Sequence, residues 1–556
     1  MNRSRLIVIA LVWAILVNLP KLAGLTLAHS TGGVFAGSVV NIHDHNAYLA
    51  SVRQGMMGNW RNIYPEYSFN AQTDHLPAGL WLLHASPFYA ALGWLYGSTG
   101  LPINLFYVVV GLLLAFFAYL AYNQLIADCL HGDSERTIAR ASLFLFPGLL
   151  WINQFLQEWP AAENHVPAHI LYAEGWGNPA MNPVFHNGYM PHFVAASIAA
   201  TMFARSLLRA VVRRQPNYFA LMSCSLLIAA LIPSVAVLWV TTGTLFVIIA
   251  VLHHKVSFQH GVTMAVSISP AFLLAVWPVF LSLLGHGFWA QYTRSAYAAT
   301  GVIDVWLWFL HLGVVGIVAL WEMRKVLGTC SRDDAGLVLV SVWLLVTLTL
   351  SLAGFAGSPR FMDGVYLAAI ILASRVLSRW TASGRTWLDW RLAAVAALIL
   401  PGTIVTFLYP WIGHIYVHFD EERRVNFLGA DLWPIRLTVD EAVALRLVET
   451  ASGPDDIVIA GPIIGSLVPG LSGARSYVGH FLSTLDFSKK MEAVDNLGAQ
   501  KSLVGLGHVT NLWIVDTVRE RVPSPDSVGT AKNNVYCRHD YITLGLVTVT
   551  QYTPCT

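Results

Sequence analysis

Apolar runs long enough to cross a bilayer dominate the first 412 residues, and a different pattern follows them. About 30 Å of hydrocarbon needs roughly 20 apolar residues in a helix. Such runs lie near 6–27, 103–127, 141–157, 193–212, 217–233, 234–252, 262–284, 301–321, 336–354, 362–378 and 392–412. The pair around Pro233 is short and predicts a tight hairpin of two marginal spans. Segment 76–97 is also apolar, but it carries Pro77, His84 and Pro87. Its Trp and Tyr residues suit a helix lying in the membrane interface. Beyond 413 the long runs stop. After a charged lead-in, HFDEERRVNF, Thr438 to Ala451 predicts a helix with Asp440 and Glu441 in its first turn. Segments starting at Asp456, Arg475 and Asn511 predict strands, Tyr541 to Thr550 a β-rich fourth, and Phe487 to Leu497 an intervening helix. Strand and helix in alternation predict a small α/β domain. The expected domains are therefore 1–412, with large loops at 28–102 and 158–192, and 413–556.

Charge placement orients the chain. With the N-terminus inside, inner loops carry Arg3, Arg5, Arg136, Arg140, Arg205, Arg209, Arg213, Arg214, Lys255, Arg324, Lys325, Arg332, Arg375, Arg379, Arg385 and Arg391. Outer loops carry only Lys21, Arg53, Arg61, Arg294 and Arg360. Cytoplasmic loops are the ones enriched in Lys and Arg, so both large loops and the tail are expected outside. Composition agrees: 56% of residues are hydrophobic and 12% charged, against about 25% charged in soluble domains. The net charge of +2 says nothing about nucleic acid, and no basic, aromatic-interleaved cluster suggests a nucleic-acid groove. The first apolar run ends in Leu19-Pro20-Lys21 without a small-residue cleavage site, so it is read as a retained anchor. Cys129, Cys224 and Cys330 stand singly; Cys537 and Cys555 in the tail are either a disulfide or two free thiols.

Chemistry concentrates in Asn41 to His75, NIHDHNAYLASVRQGMMGNWRNIYPEYSFNAQTDH. An acid at a membrane surface is expensive unless it faces water or a ligand, so Asp44 is the leading catalytic candidate. Its structural alternative is a helix cap, or a partner for Arg53 or Arg61. Tyr48, Trp60 and Tyr64 are cavity or interface aromatics. His43 and His45 flank Asp44, and the three together could ligate a divalent metal from a loop; the alternative is hydrogen-bonded interface histidines. The second loop adds Glu158, Glu163 and Glu174, and His192 opens the following span. Gly479-His480 after a strand is a ligand-facing turn or a structural corner. Gly461-Pro462 to Gly465 follows a strand but lacks a dinucleotide fingerprint.

Asp44 and Tyr48, then Arg53-Gln54-Gly55, Gly58-Asn59-Trp60 and the stretch Pro87 to Pro102, resemble the first outer loop of the GT-C polyprenyl-phosphate-dependent glycosyltransferases. Pro191-His192-Phe193, Arg360 in SPRFMDGVYLAAIILA, and Gly479-His480 with Thr484 resemble an uncharacterised bacterial branch of that superfamily with an extracytoplasmic tail. The branch's acid before a phenylalanine is replaced here by Met181 or Asn182 ahead of Phe185. The resemblance implies a polytopic α-helical membrane protein of about 11 transmembrane helices with a small C-terminal α/β domain. It also implies a bacterial inner-membrane location and transfer of a sugar from a polyprenyl-phosphate donor to a glycan, lipid or protein acceptor.

In such chemistry a carboxylate takes the acceptor proton and a cation offsets the leaving phosphate. Arginine suits phosphate through its two parallel donors. Asp44 is thus the expected base. Arg360, Arg53 and Arg294 are the expected phosphate contacts, Lys21 and Arg61 alternates, and His43, His45, Tyr48, Trp60, Glu174, His192 and His480 cavity residues. No cofactor is required beyond the possible metal. Two other classes compete: a transporter, which would need two matching halves with broken helices that the sequence does not contain, and a non-catalytic scaffold presenting its tail.

Overall fold

The computed structural model describes residues 2–30, 33–37, 42–58, 60, 86–145, 187–188, 190–213, 217–284, 305–329, 334–353, 358–382, 436–453, 456–479, 484, 487–497, 502–503, 509–517, 520–530 and 535–555. They fall into two compact units. One comprises Met1–Pro20, Val110–Leu284 and Ala296–Asp431, the other Lys21–Val109, Gly285–Ser295 and Leu432–Thr556. The expected boundary at 412/413 lies outside the described residues.

The first unit is helical. It takes the beginning of α1 (Arg3–Ser30) and the end of α4 (Ile103–Cys129). It also holds α5 (Asp133–Phe144), α6 (Pro191–Arg213), α7 (Tyr218–Leu231), α8 (Pro233–Leu252), α9 (Phe258–Leu284), α10 (Val305–Thr329), α11 (Ala335–Ser351) and α12 (Val365–Ala382). Among the described residues, α1, α4, α6, α8, α9 and α12 are long and apolar enough to span a membrane; α7 and α11 are shorter apolar helices. Asn217 caps α7 by accepting from Ala220 N–H at 3.0 Å, and Pro233 opens α8. Proline's fixed φ and missing donor suit a first helical turn, so the hairpin is set by sequence. Its second arm, at 20 residues, is a full-length span rather than a marginal one. Of the expected spans, 392–412 and all but the first five residues of 141–157 lie outside the described residues. Trp239 and Trp343 pack at 4.4 Å between α8 and α11. Ion pairs join helix ends: Arg205 to Asp128 at 2.7 Å, Arg375 to Asp334 at 3.3 Å, and both Arg375 and Arg379 to the buried Glu322.

The second unit contains the first-loop helices α2 (Ile42–Met56) and α3 (Ser86–Tyr96) and an α/β assembly. α3 is 11 residues long, about 17 Å of helix, too short to cross a bilayer. Trp94 and Leu95 lie exposed on it, as an interfacial helix requires. Two glycines let α2 and α3 meet backbone to backbone. A Cβ on Gly55 would come within 2.2 Å of Ala90 O, and one on Gly93 within 1.9 Å of Val52 O.

The α/β part comprises β1 (Val34–Phe35), β2 (Arg436–Leu437), α13 (Val439–Ala451), β3 (Ile457–Ile459), α14 (Pro462–Leu471), β4 (Arg475–Ser476), α15 (Phe487–Asp495), β5 (Ser502–Leu503), β6 (Leu512–Asp516), β7 (Ser527–Thr530), β8 (Val535–Leu544) and β9 (Val547–Pro554). β1 and β2 pair antiparallel, and a second sheet has the order β4-β3-β6-β9-β8-β7-β5. Successive side chains point to opposite faces. Ile457, Ile459, Leu512 and Ile514 therefore pack with α15 on one face, and Val458, Trp513 and Val515 with α13 and α14 on the other. α13 starts with a capping box in which Thr438 and Glu441 satisfy each other's backbone N–H groups. The β-rich segment expected at Tyr541 to Thr550 is two strands: Gly545 turns the chain at φ 54° into a β8–β9 hairpin. Cys537 and Cys555 form a disulfide across this hairpin, resolving the open pairing in favour of the bridge.

The buried Asp456 fastens the head of β3. Its carboxylate accepts from Gly453 N–H at 3.0 Å, Asn511 N–H at 3.1 Å and Trp513 Nε1 at 3.0 Å. Asp456→Ala leaves these donors unpaired and should destabilise the chain by about 2–4 kcal/mol. Earlier thermal unfolding of the full-length variant is the expected result; an unchanged midpoint contradicts it.

Candidate functional site

The second unit gathers polar side chains from four helices around one phenol. Tyr107 on α4 is fully buried. The ammonium of Lys21, on α1 and itself only 3% exposed, lies 5.9 Å from the Tyr107 ring centroid. That is the outer edge of a cation–π contact. Asp44 stands in the first turn of α2, half-buried, close enough for its charge to reach the Tyr107 phenol. A carboxylate in a helix's first turn complements the exposed N–H groups and the positive end of the dipole. Tyr89 from α3 has its hydroxyl 3.5 Å from that of Tyr107, and Tyr48 stacks on Tyr89 at 4.4 Å. An acid and a cation thus approach a single aromatic from different helices.

His45 is built into this core. Its ring meets Tyr107 edge-on at 4.4 Å and has no exposed surface. Gly37, at φ 109°, lets the loop pass beside it; a Cβ there would come within 2.5 Å of His45 Nε2. Burial, then the charge of Lys21, holds the imidazole down at about 3, against an opposing backbone bond to Ala36. The expectation that His43, Asp44 and His45 chelate from a loop changes form here, because all three stand on helix α2. Successive residues on a helix are rotated by about 100°, and the His45 ring is committed to packing. The His43 side chain lies outside the described residues. Among the described residues, no group of three or more His, Cys, Asp or Glu side chains is placed to hold a metal.

Arg53, an expected phosphate contact, is ion-paired within the protein. It forms an ion pair with Glu449 of α13, and its charge and hydrogen bond reach Tyr96. One turn of contacts continues this seam: Asn46 Nδ2 donates to Ser466 Oγ at 2.8 Å, and Leu49 packs against Gly470. The α/β assembly is therefore pinned to the helix that carries Asp44. The glycine-rich start of α14 is filled from within, since the Glu520 carboxylate accepts from Ile463 and Ile464 N–H at 2.8 and 2.9 Å. Trp60 is exposed beyond the end of α2.

The other expected site residues are dispersed. His192 (buried, its ring 4.4 Å from Phe193) and Arg360 (exposed, in the 3-10 turn Ser358–Met362) belong to the helical unit. Gly479 N–H donates to Thr484 Oγ1 at 3.2 Å, closing the turn expected around His480. His480 itself, Glu174 and Arg294 lie outside the described residues. Sequence reasoning passed over Tyr89 and Tyr107, because an aromatic inside an apolar run carries no signal of the polar group it faces. It also passed over Asn187, Tyr122 and Tyr366, whose side chains form a buried hydrogen-bonded ring in the helical unit.

The depressed His45 sets a pH dependence. Unfolding exposes an imidazole that protonates near 6.5, while the folded one stays neutral down to about 3. The unfolded chain therefore binds the extra proton in between, and stability falls on acidification through that window by up to about 1.4 kcal/mol per pH unit. Thermal midpoints of the purified chain should drop from pH 7 to pH 5, and His45→Phe should flatten the slope; an identical slope in the variant contradicts this origin.

No protein-family model matches the chain. No curated protein matches it. Among solved structures, ArnT from Cupriavidus metallidurans, bound to undecaprenyl phosphate, superposes with a TM-score of 0.51 at 12% identity, covering 99% of this chain and 98% of that one. The archaeal oligosaccharyltransferase AglB from Archaeoglobus fulgidus, in complex with an inhibitory peptide and a dolichol-phosphate, gives a TM-score of 0.42 at 12% identity. It covers 92% of this chain and 69% of that one, too loose a likeness to carry an argument. The chain is a multi-pass membrane protein with the GT-C fold, a helical membrane part and a small sheet domain.

Proposed function

We propose that this protein is an integral-membrane glycosyltransferase that moves a sugar from a polyprenyl-phosphate donor to an acceptor on the outer face of the membrane. The observation that carries the reading is the convergence of Asp44 and Lys21 on Tyr107. The GT-C fold supplies the reaction class, and a protein of that fold, ArnT, holds undecaprenyl phosphate. Here Asp44 is the general base that takes the acceptor proton as the oxygen or nitrogen attacks the anomeric carbon. Lys21 offsets the charge that develops on the leaving phosphate. The Tyr107 ring meets the Lys21 ammonium and feels the Asp44 charge, so both groups belong to one cluster. Within the helical unit, Arg360 on its exposed turn is a phosphate contact in its own right, its guanidinium offering two parallel donors. The ion-paired ends of α4, α6, α10 and α12 face the cytoplasm in this reading, with the N-terminus inside and the α/β assembly outside. In this reading the His45 ring, committed to packing, is not offered to a divalent metal, and Asp44 acts without one.

The purified protein should release undecaprenyl phosphate from an undecaprenyl-phosphate-linked sugar in the presence of acceptor extract. Asp44→Asn should lower that rate by about 10²–10⁴-fold with an unchanged unfolding profile, and chelation with EDTA should leave the wild-type rate within about twofold. Wild-type turnover by a well-folded Asp44→Asn protein would favour the scaffold reading instead.

A further inference from the structure

We propose that Tyr122, Asn187 and Tyr366 are positioning residues that fix the Arg360 turn for a phosphate headgroup. The inference rests on the assignment of Arg360 to phosphate made above.

The three side chains form a closed cycle. Tyr122 Oη donates to Asn187 Oδ1 at 3.2 Å, Asn187 Nδ2 donates to Tyr366 Oη at 3.3 Å, and Tyr366 Oη donates to Tyr122 Oη at 3.0 Å. All three residues are at most 1% exposed. Hydrogen bonds taken out of water polarise one another, and breaking one strands the rest. Between apolar helices such a ring is expensive unless it holds something in place.

Its members come from three distant parts of the sequence. Tyr122 is on α4; Asn187 precedes Pro191, where α6 begins; Tyr366 is the second residue of α12. Gly188 seals the Asn187 segment against α1, where a Cβ would lie 2.1 Å from Val17 O. On the other side, only five residues separate Arg360 from Tyr366. Met362 is fully buried, and Asp363 is buried with its carboxylate in electrostatic reach of both Tyr122 and Tyr366. Gly364 turns at φ 72° against Trp343. Trp343 is eight residues into α11, about 12 Å along the helix. The Arg360 turn is therefore seated against the middle of a neighbouring helix, not its end. The seat is polar, sequence-specified and rigid, while the arginine it carries is exposed.

A binding experiment decides the matter. Undecaprenyl phosphate is titrated into the full chain in detergent, with inorganic phosphate as competitor in a second series. Arg360→Ala should weaken lipid binding at least about tenfold, as loss of a charge-assisted contact. Tyr366→Phe keeps the aromatic shape and removes one hydroxyl, and should weaken binding about fivefold with the ligand-free thermal midpoint unchanged. The double variant should bind no more weakly than Arg360→Ala alone, because the ring acts only through that arginine. Tyr122→Phe is the second probe should Tyr366→Phe lower the midpoint. Competition by inorganic phosphate assigns the turn to the phosphate group itself; lipid binding without competition assigns it to phosphate on its polyprenyl carrier. Wild-type affinity in both Phe variants, or losses that add in the double variant, overturns the ring's role. Wild-type affinity in Arg360→Ala overturns the arginine's assignment on its own.

Discussion

Burying an ammonium group beside an apolar helix is the constraint from which the second unit's architecture follows. Lys21 is taken out of water within α1, and a charge in that position is tolerated only with compensation. Its surroundings are assembled from a distance: the Tyr107 ring from α4 meets the ammonium, and that ring is reached by the charge of Asp44 from the first turn of α2 and joined through α3 to a tyrosine stack. The cluster draws on all four helices, so it exists only when they are in register. The Gly55–Gly93 contact sets that register by letting α2 and α3 meet without side chains between them. The neutral imidazole of His45 fills the remaining volume without adding a second positive charge next to Lys21.

The α/β assembly extends this logic. Arg53 with Glu449, Asn46 with Ser466 and Leu49 with Gly470 bind it to the same helix that presents Asp44. An ion pair of this kind, partly shielded from water, contributes more to orientation than to stability. The assembly has no vacant anion cradle at α14, because Glu520 already accepts from both N–H groups there. Its contribution is to hold α2 and, in the functional reading, to border the acceptor's approach.

Much of this fold was legible in the sequence because membrane helices and buried strands follow single periodicities. Asn217 and Pro233 marked the α7–α8 hairpin, and Thr438 with Glu441 marked the start of α13. Short continuous apolar runs after Asp456 and Asn511 located two central strands, whose neighbouring residues now divide between two cores. The strand expected at Arg475 is the short edge strand β4, whereas edge strand β5 and helix α14 depend on tertiary contacts and have weaker local signals. In the candidate site, Asp44 stood out because an acid at a membrane surface is unusual. Arg53 and His45 looked equally chemical, yet one is paired and the other packed, since charge and ring type do not disclose the partner. The charged neighbours of Tyr107 and the members of the Tyr122–Asn187–Tyr366 ring were hidden because they lie 60 or more residues apart along the chain.

The central claim assigns a division of labour to the two charges that meet at Tyr107: the cation holds phosphate and the carboxylate moves a proton. Equilibrium binding of undecaprenyl phosphate to purified Lys21→Met and Asp44→Asn proteins separates these duties. The account predicts affinity at least about tenfold weaker for Lys21→Met, and affinity equal to or tighter than wild type for Asp44→Asn, which removes a negative charge at nearly constant shape. A Lys21→Met protein that binds the lipid as well as the wild type does would contradict it.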